Sequence, residues 1–213
     1  MTLEYFNQWK ENFTHSKDFI AAENFSIESD KKAIMAPEYT EWYRCLDIDP
    51  TKIHTIITFD SVHPFNYCAD GLALSSLDEA TPAMNKLYGK IYKDLGYEYD
   101  YEDNCKEKWL ERGCLCLPMQ LTRTSGKKTL VEYYWVDIMF EYLKLFLYDN
   151  QPRAFLLLDQ FQDILPIDHK KTKDLGHLII ISKIKDLLTT SENYFEAINN
   201  FIKKNYDLNM IWT

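Results

Sequence analysis

The stretch Ile53-His-Thr-Ile-Ile-Thr-Phe59, followed at once by Asp60, decides how the rest of the chain is read. It is β-branched and continuous rather than alternating, which marks a strand buried on both faces. Three further runs share that character: Cys114 to Leu117, Ala154-Phe-Leu-Leu-Leu158 and His177-Leu-Ile-Ile-Ile181. Helical patterns separate them. Thr81 to Leu95 carries Met84, Leu87, Tyr88, Ile91 and Tyr92 at helical spacing, and Trp109 to Arg112 reads as a helix end capped by Gly113. Leu130 to Tyr148 reads as a long helix with a wide apolar face, and Ser191 to Lys204 as a closing helix begun by a Ser/Glu cap pair. The first 45 residues read as helices with polar faces, broken at Pro37. Four buried strands alternating with helices predict a three-layer α/β/α fold around a central four-stranded, mainly parallel sheet.

Composition agrees with one ordered domain over residues 1–213, in which residues 1–50 form a helical lead-in packed on the same core. The chain has 213 residues, 46% of them hydrophobic and 15% aromatic, with only six Gly and seven Pro. That excludes collagen-like, low-complexity and disordered classes. There is no repeat and no Pro/Gly/Ser-rich linker at which to divide the chain. No apolar run is long enough to span a bilayer, and Met1 to Phe13 carries acids and amides where a signal peptide needs a basic flank. A soluble, cytoplasmic monomer without membrane contact is expected. Five cysteines, Cys45, Cys68, Cys105, Cys114 and Cys116, form no CxxC pair, and Cys114 and Cys116 share one strand face. Reduced thiols, and neither a metal nor another cofactor, are expected. Their apolar or acidic settings raise thiol pKa, which argues against a cysteine nucleophile. GxGxxG, GxxxxGK[ST], HExxH and GxSxG are absent, so dinucleotide, P-loop, zinc-protease and serine-hydrolase chemistries lack their parts.

The charge balance, 24 Lys+Arg against 33 Asp+Glu for a net −9, weighs against avid non-specific nucleic-acid binding. Between His169 and Lys185, however, five lysines (Lys170, Lys171, Lys173, Lys183, Lys185) face one acid, Asp174, while acid collects in Tyr97 to Asp103. A charge run is ordinarily a solvated face. Ligands of parallel α/β sheets bind beyond the carboxyl ends of the strands. That rule selects Asp60, Ser61, Val62 and His63; Pro118, Met119 and Gln120; Asp159 and Gln160; and, around the last strand, His177 and Ser182.

In order and spacing these loops resemble the family 1 uracil-DNA glycosylases, over nearly the whole chain. Ile56-Ile-Thr-Phe-Asp-Ser-Val-His63 resembles the family's water-activating GQDPYH loop, and Gly71-Leu-Ala-Leu-Ser75 its GLCFS segment. Trp109 to Leu117 is similar to the approach to its uracil-reading LLLN, Phe155 to Gln160 to its strand ending in Gly-Ser, and His177-Leu-Ile-Ile-Ile-Ser182 to HPSPLS, the intercalation loop. Ala36 to Ile48 resembles the lead-in to the first strand, and Asn209-Met-Ile-Trp212 the closing residues. The resemblance implies a carboxylate, Asp60, that orients and deprotonates water, and a histidine, His177, that donates to the departing base. It implies Ser61, Val62, Phe65, Leu74 and Pro118 around the base, and His63, Ser75, Ile181 and Ser182 at the DNA, with Ile181 in the wedge position. Lys170, Lys171, Lys173 and Lys183 flank that last motif and would face phosphate.

The departures are as informative. The family's pocket tyrosine is Val62, its stacking phenylalanine Leu74 and its uracil-reading asparagine Pro118; the phosphate-contacting Gly-Ser is Asp159-Gln160. Leu178 and Ile180 replace both prolines of the last motif, and the Pro-rich loop is reduced to Pro82. Two functions follow from the resemblance. One is a DNA glycosylase with an enlarged pocket, acting on duplex or single-stranded DNA that holds a bulky 5-substituted pyrimidine such as hydroxymethylated or glucosylated cytosine of viral DNA, as a defence enzyme. The other is an inactive binding module on the same fold, with a protein partner.

Overall fold

The computed structural model describes residues 1–96, 104–127, 134–158, 167–210 and 212. Its elements in chain order are α1 (Leu3–Thr14), α2 (Lys17–Asp30), β1 (Met35–Ala36), β2 (Thr55–Phe59), α3 (Pro82–Leu95), α4 (Glu107–Glu111) and β3 (Cys114–Pro118). There follow β4 (Arg123–Thr124), α5 (Val136–Leu147), β5 (Ala154–Leu157), α6 (His169–Asp174), β6 (Leu178–Ile181) and α7 (Tyr194–Tyr206). The four runs read as buried strands are strands, and all their pairings are parallel, in the order β3-β2-β5-β6. β2 is central. Thr55 to Phe59 runs beside Cys114 to Pro118 on one side, and Thr55 to Thr58 beside Ala154 to Leu157 on the other. Paired on both edges and covered by helices on both faces, it needs no alternation in its apolar character. β6 is an edge strand and correspondingly half-buried, with Ile181 40% exposed at its end.

Helices cover both faces. On one, Phe6 and Phe13 of α1 and Phe19 of α2 gather around Tyr142 of α5 and the adjoining Trp135. On the other, α3 carries a buried ion pair within itself, Lys90 to Asp94 at 2.7 Å, and Asp94 ties it to α7 by accepting the Phe195 backbone N–H at 3.0 Å. Trp42, Trp109, Trp135 and Trp212 are fully buried and belong to the core. Local signals also act as their chemistry dictates. Thr81 caps α3 by accepting the Met84 N–H, and Pro82 is its first residue. Gly113, at φ +83°, turns the chain from α4 into β3, where a side chain would collide with the Lys52 carbonyl. Of the helix expected from Leu130, residues 136–147 are helical and residues 128–133 lie outside the described residues, as does the acidic Tyr97 to Asp103 run. The closing helix starts at Tyr194 rather than Ser191, because Glu192 and Thr190 first close a turn. No helix among the described residues is long and apolar enough to cross a membrane, and all five cysteines are free.

The amino edge of the sheet is locked by one cation. Arg153, fully buried just before β5, donates through Nη1 to Asp149 at 2.7 Å, through Nε to the Ile53 carbonyl at 3.0 Å, and through Nη2 to Gln151 Oε1 at 2.7 Å and the Pro50 carbonyl at 3.2 Å. It ties the approach to β2 to the approach to β5.

Candidate active site

The chain runs from β2 outward to β3, then returns past β2 to β5, so the strand order switches direction between β2 and β5. Their carboxyl ends therefore leave a crevice uncovered by a crossover. Asp60 is the first residue beyond β2 and opens onto it. Asp60, Ser61, Val62, His63, Phe65, Leu74 and Arg123 line a cleft of about 680 Å³ at the carboxyl end of β2. Its floor is the segment from Gly71, whose φ of +80° no side chain could share because a Cβ would collide with the Glu41 carbonyl. That docking turns Leu74 into the left-handed region at φ +54°, a strain of about 1 kcal/mol for a leucine. Its side chain is buried against the cleft. Val62 packs with Ala36 and Ala69. The two positions that the resemblance assigned to rings thus hold aliphatic groups here.

A wall of the cleft was not foreseen. β1 and β4 pair antiparallel, Met35 with Thr124 and Ala36 with Arg123, and bring Arg123 in from a distant part of the sequence. Its Nη1 donates to Ser61 Oγ at 2.9 Å and its Nη2 to the Lys127 carbonyl. Burial lowers the guanidinium's pKa, and the Asp60 carboxylate, within electrostatic reach, opposes that. Two-residue strands carry no periodicity, so only an isolated arginine after a buried strand could have hinted at this.

His63 lines the cleft but is committed. Its Nδ1 accepts the Phe65 N–H at 3.2 Å and the ring also bonds the Glu79 backbone, while burial holds its pKa below the usual histidine value. Phe65, 40% exposed, lies against His63 on one side and Tyr67 on the other, at ring separations of 5.8 and 5.6 Å. Ser75 is fully buried; its Oγ donates to Asp70 at 2.5 Å and accepts the Lys106 N–H at 2.8 Å, which makes it a support for the floor rather than a contact for DNA. Pro118 ends β3 beside Phe59 and is buried outside the cleft lining.

The largest correction concerns His177. It directly precedes β6, and since β6 is parallel to β2 it lies at the amino edge, whereas Asp60 lies at the carboxyl edge. There its Nδ1 accepts the Arg153 N–H at 3.0 Å, and its ring meets Phe155 edge-on. Asp60 and His177 cannot act on one bond. The basic segment divides likewise. Lys170, Lys171 and Lys173 are on α6, which leads into the amino end of β6, and Lys171 stacks on Tyr148 at 4.3 Å. Lys183 and Lys185 follow β6, about 13 Å away along a four-residue strand. Ile181 and Ser182 sit at the carboxyl edge with Asp60, Ile181 exposed and Ser182 buried with its N–H on the Leu157 carbonyl. Asp159 and Gln160 lie outside the described residues.

Burial lowers the pKa of His54, His63 and His177, with Arg153 adding to it for His54 and His177. Each ring binds its proton less readily folded than unfolded, so its contribution to stability is complete above pH 6.5 and is lost as pH falls below it. The melting temperature is expected to decline between pH 7.5 and 5.5, and His177→Gln to flatten part of the decline. Thermal melts across that range check it.

No family model matches the sequence, and no curated protein is similar to it. Solved structures are. The mimivirus uracil-DNA glycosylase superimposes with a TM-score of 0.78 at 15% identity, over 97% of this chain and 84% of that one. The fold is that of the uracil-DNA glycosylases. A variant of the mimivirus glycosylase in complex with UGI aligns with a TM-score of 0.81 at 15% identity, over 100% of this chain and 88% of that one. The uracil-DNA glycosylase of Nitratifractor salsuginis aligns with a TM-score of 0.53 at 11% identity, over 94% and 97%. The motif order read from the sequence and the glycosylase fold of the chain agree.

Proposed function

We propose that this chain is a DNA glycosylase that hydrolyses the N-glycosidic bond of a flipped-out pyrimidine bulkier than uracil. The observation that carries the reading is Asp60, held by β2 at the switch point of a glycosylase fold and opening onto a cleft of about 680 Å³. Glycosidic cleavage builds positive charge on the sugar and negative charge on the base. Asp60 would orient a water, accept its proton and steady the sugar cation. A duplex hides that bond, so the nucleotide must leave the stack, at a cost of a few kcal/mol, offset by an apolar wedge; Ile181, exposed on the same edge, suits that task. Val62 and Leu74 leave room where a 5-substituent would project. Hydroxymethylated and glucosylated cytosines of viral DNA are bases of that size, and their excision would serve defence.

A second reading, a non-enzymatic binding module, draws on the placement of His177 at the far edge and the commitment of His63. Formation of abasic sites separates the two. Single- and double-stranded oligonucleotides carrying uracil, thymine, 5-hydroxymethylcytosine or its glucosylated form are incubated with the protein, then cleaved at abasic sites. Release of a bulky base but not uracil is the expected result. Release of uracil would refute the enlarged pocket, and no release from any substrate by folded protein would leave the binding module.

A further inference from the structure

We infer that Arg123 carries the negative charge of the departing base, the task that the resemblance assigned to His177; this rests on the glycosylase reading above. The departing base needs a cation or donor in the cleft, and the other candidates are either committed or at its exposed margin. His63 holds the Phe65 N–H through Nδ1 and cannot be protonated there without losing it. The Thr81 hydroxyl accepts the Met84 N–H as a helix cap. Lys127 is exposed at the rim.

Arg123 is placed differently. β1 holds its backbone, and Ser61 Oγ and the Lys127 carbonyl hold its two terminal nitrogens, so the guanidinium is fixed beside the residue that follows Asp60. Its Nε–H is buried and has no acceptor among the described residues. A buried donor without a partner among the described residues calls for an explanation, and a charge-carrying role is one. In the reaction, the bond between the sugar C1′ and the base nitrogen breaks and its electron pair stays with the base. The water oxygen bonds C1′, and Asp60 takes the water's proton. The base departs as an anion paired with Arg123 and is protonated from solvent, because a guanidinium stays charged at neutral pH and gives up no proton. Arg123 thus acts by charge, and no acid limb from a donor should limit the rate.

Binding of a free anionic base tests this without turnover. The probe is 5-nitrouracil, deprotonated at pH 8, compared with uracil, neutral there, by calorimetry on the intact protein, Arg123→Gln and Arg123→Lys. The intact protein is expected to bind the anion at least tenfold more tightly than uracil, Arg123→Gln to lose the preference, and Arg123→Lys to keep part of it. Arg123→Lys supplies the comparison alone if Arg123→Gln does not fold. With cleavable substrates, Arg123→Gln should lose more rate on bases that leave poorly than on bases that leave well; a merely structural role would slow all alike. An anion preference absent from the intact protein, or unchanged in Arg123→Gln, overturns the assignment. Should the protein release no base yet show the Arg123-dependent preference, the glycosylase reading falls and the anion site stands. Release that is indifferent to Arg123→Gln has the opposite meaning.

Discussion

Asp60→Asn is expected to slow base release by about 10²- to 10⁴-fold under single-turnover conditions, the range lost with a positioned general base. Two contributions disappear together. Asparagine cannot accept the water's proton, and it has no charge to set against the sugar cation. The residue is partly exposed beyond the end of β2 and near the Arg123 guanidinium, so the loss in melting temperature should be modest beside the loss in rate. Abasic-site yield against time, on whichever base the intact protein releases, measures the effect. A rate within threefold of the intact protein would remove Asp60 from the chemistry.

Arg153→Met is expected to have the opposite profile, with a loss of about 3–5 kcal/mol in stability, because buried hydrogen bonds are lost and the Asp149 carboxylate keeps only the Met1 ammonium as a cation. For a chain of this length that lowers the melting temperature by roughly 6–20 °C. The Ile53 and Pro50 carbonyls lose their donors as well. Asp149→Asn in the same chain should recover little of the loss, because Asp149 still pairs with the Met1 ammonium when Arg153 is gone. Base release measured well below the melting point should be nearly unchanged, as Arg153 lies at the amino edge and the cleft at the carboxyl edge. Denaturant titration and the abasic-site assay, run on the same preparations, check both halves.

The sheet was legible because parallel strands buried on both faces announce themselves as uninterrupted apolar runs: residues 53–59, 114–117, 154–158 and 177–181 enclose or nearly match the strands found. Asp60 followed from that reading, since the rule for parallel sheets needs only the strand's end. The β1–β4 ribbon was not legible. Its strands are two residues each and join positions nearly ninety residues apart, so Arg123 had no pattern to betray it. His177 is the reverse case, because the strand reading of His177 to Ile181 already implied its edge. A residue in front of a parallel strand is at the amino side, and the resemblance to a loop motif pulled it to the wrong one. Ser75 was misplaced for a simpler reason: the hydroxyl is closed in between Asp70, just before its own segment, and the distant Lys106 backbone, a pairing the sequence does not display.

The position of β2 in the middle of the sheet also sets an order in time. Ile53 and Arg153 touch, yet they are 100 residues apart in the chain. At roughly 5–20 residues per second, a ribosome that has just released the segment carrying Asp60 works for about another 5–20 s before β5 can pair with it. β3, the other neighbour, emerges in between. A strand paired on both edges when folded must therefore wait with its β5 edge bare even after β3 has emerged, and the nascent chain is most prone to aggregate in that interval.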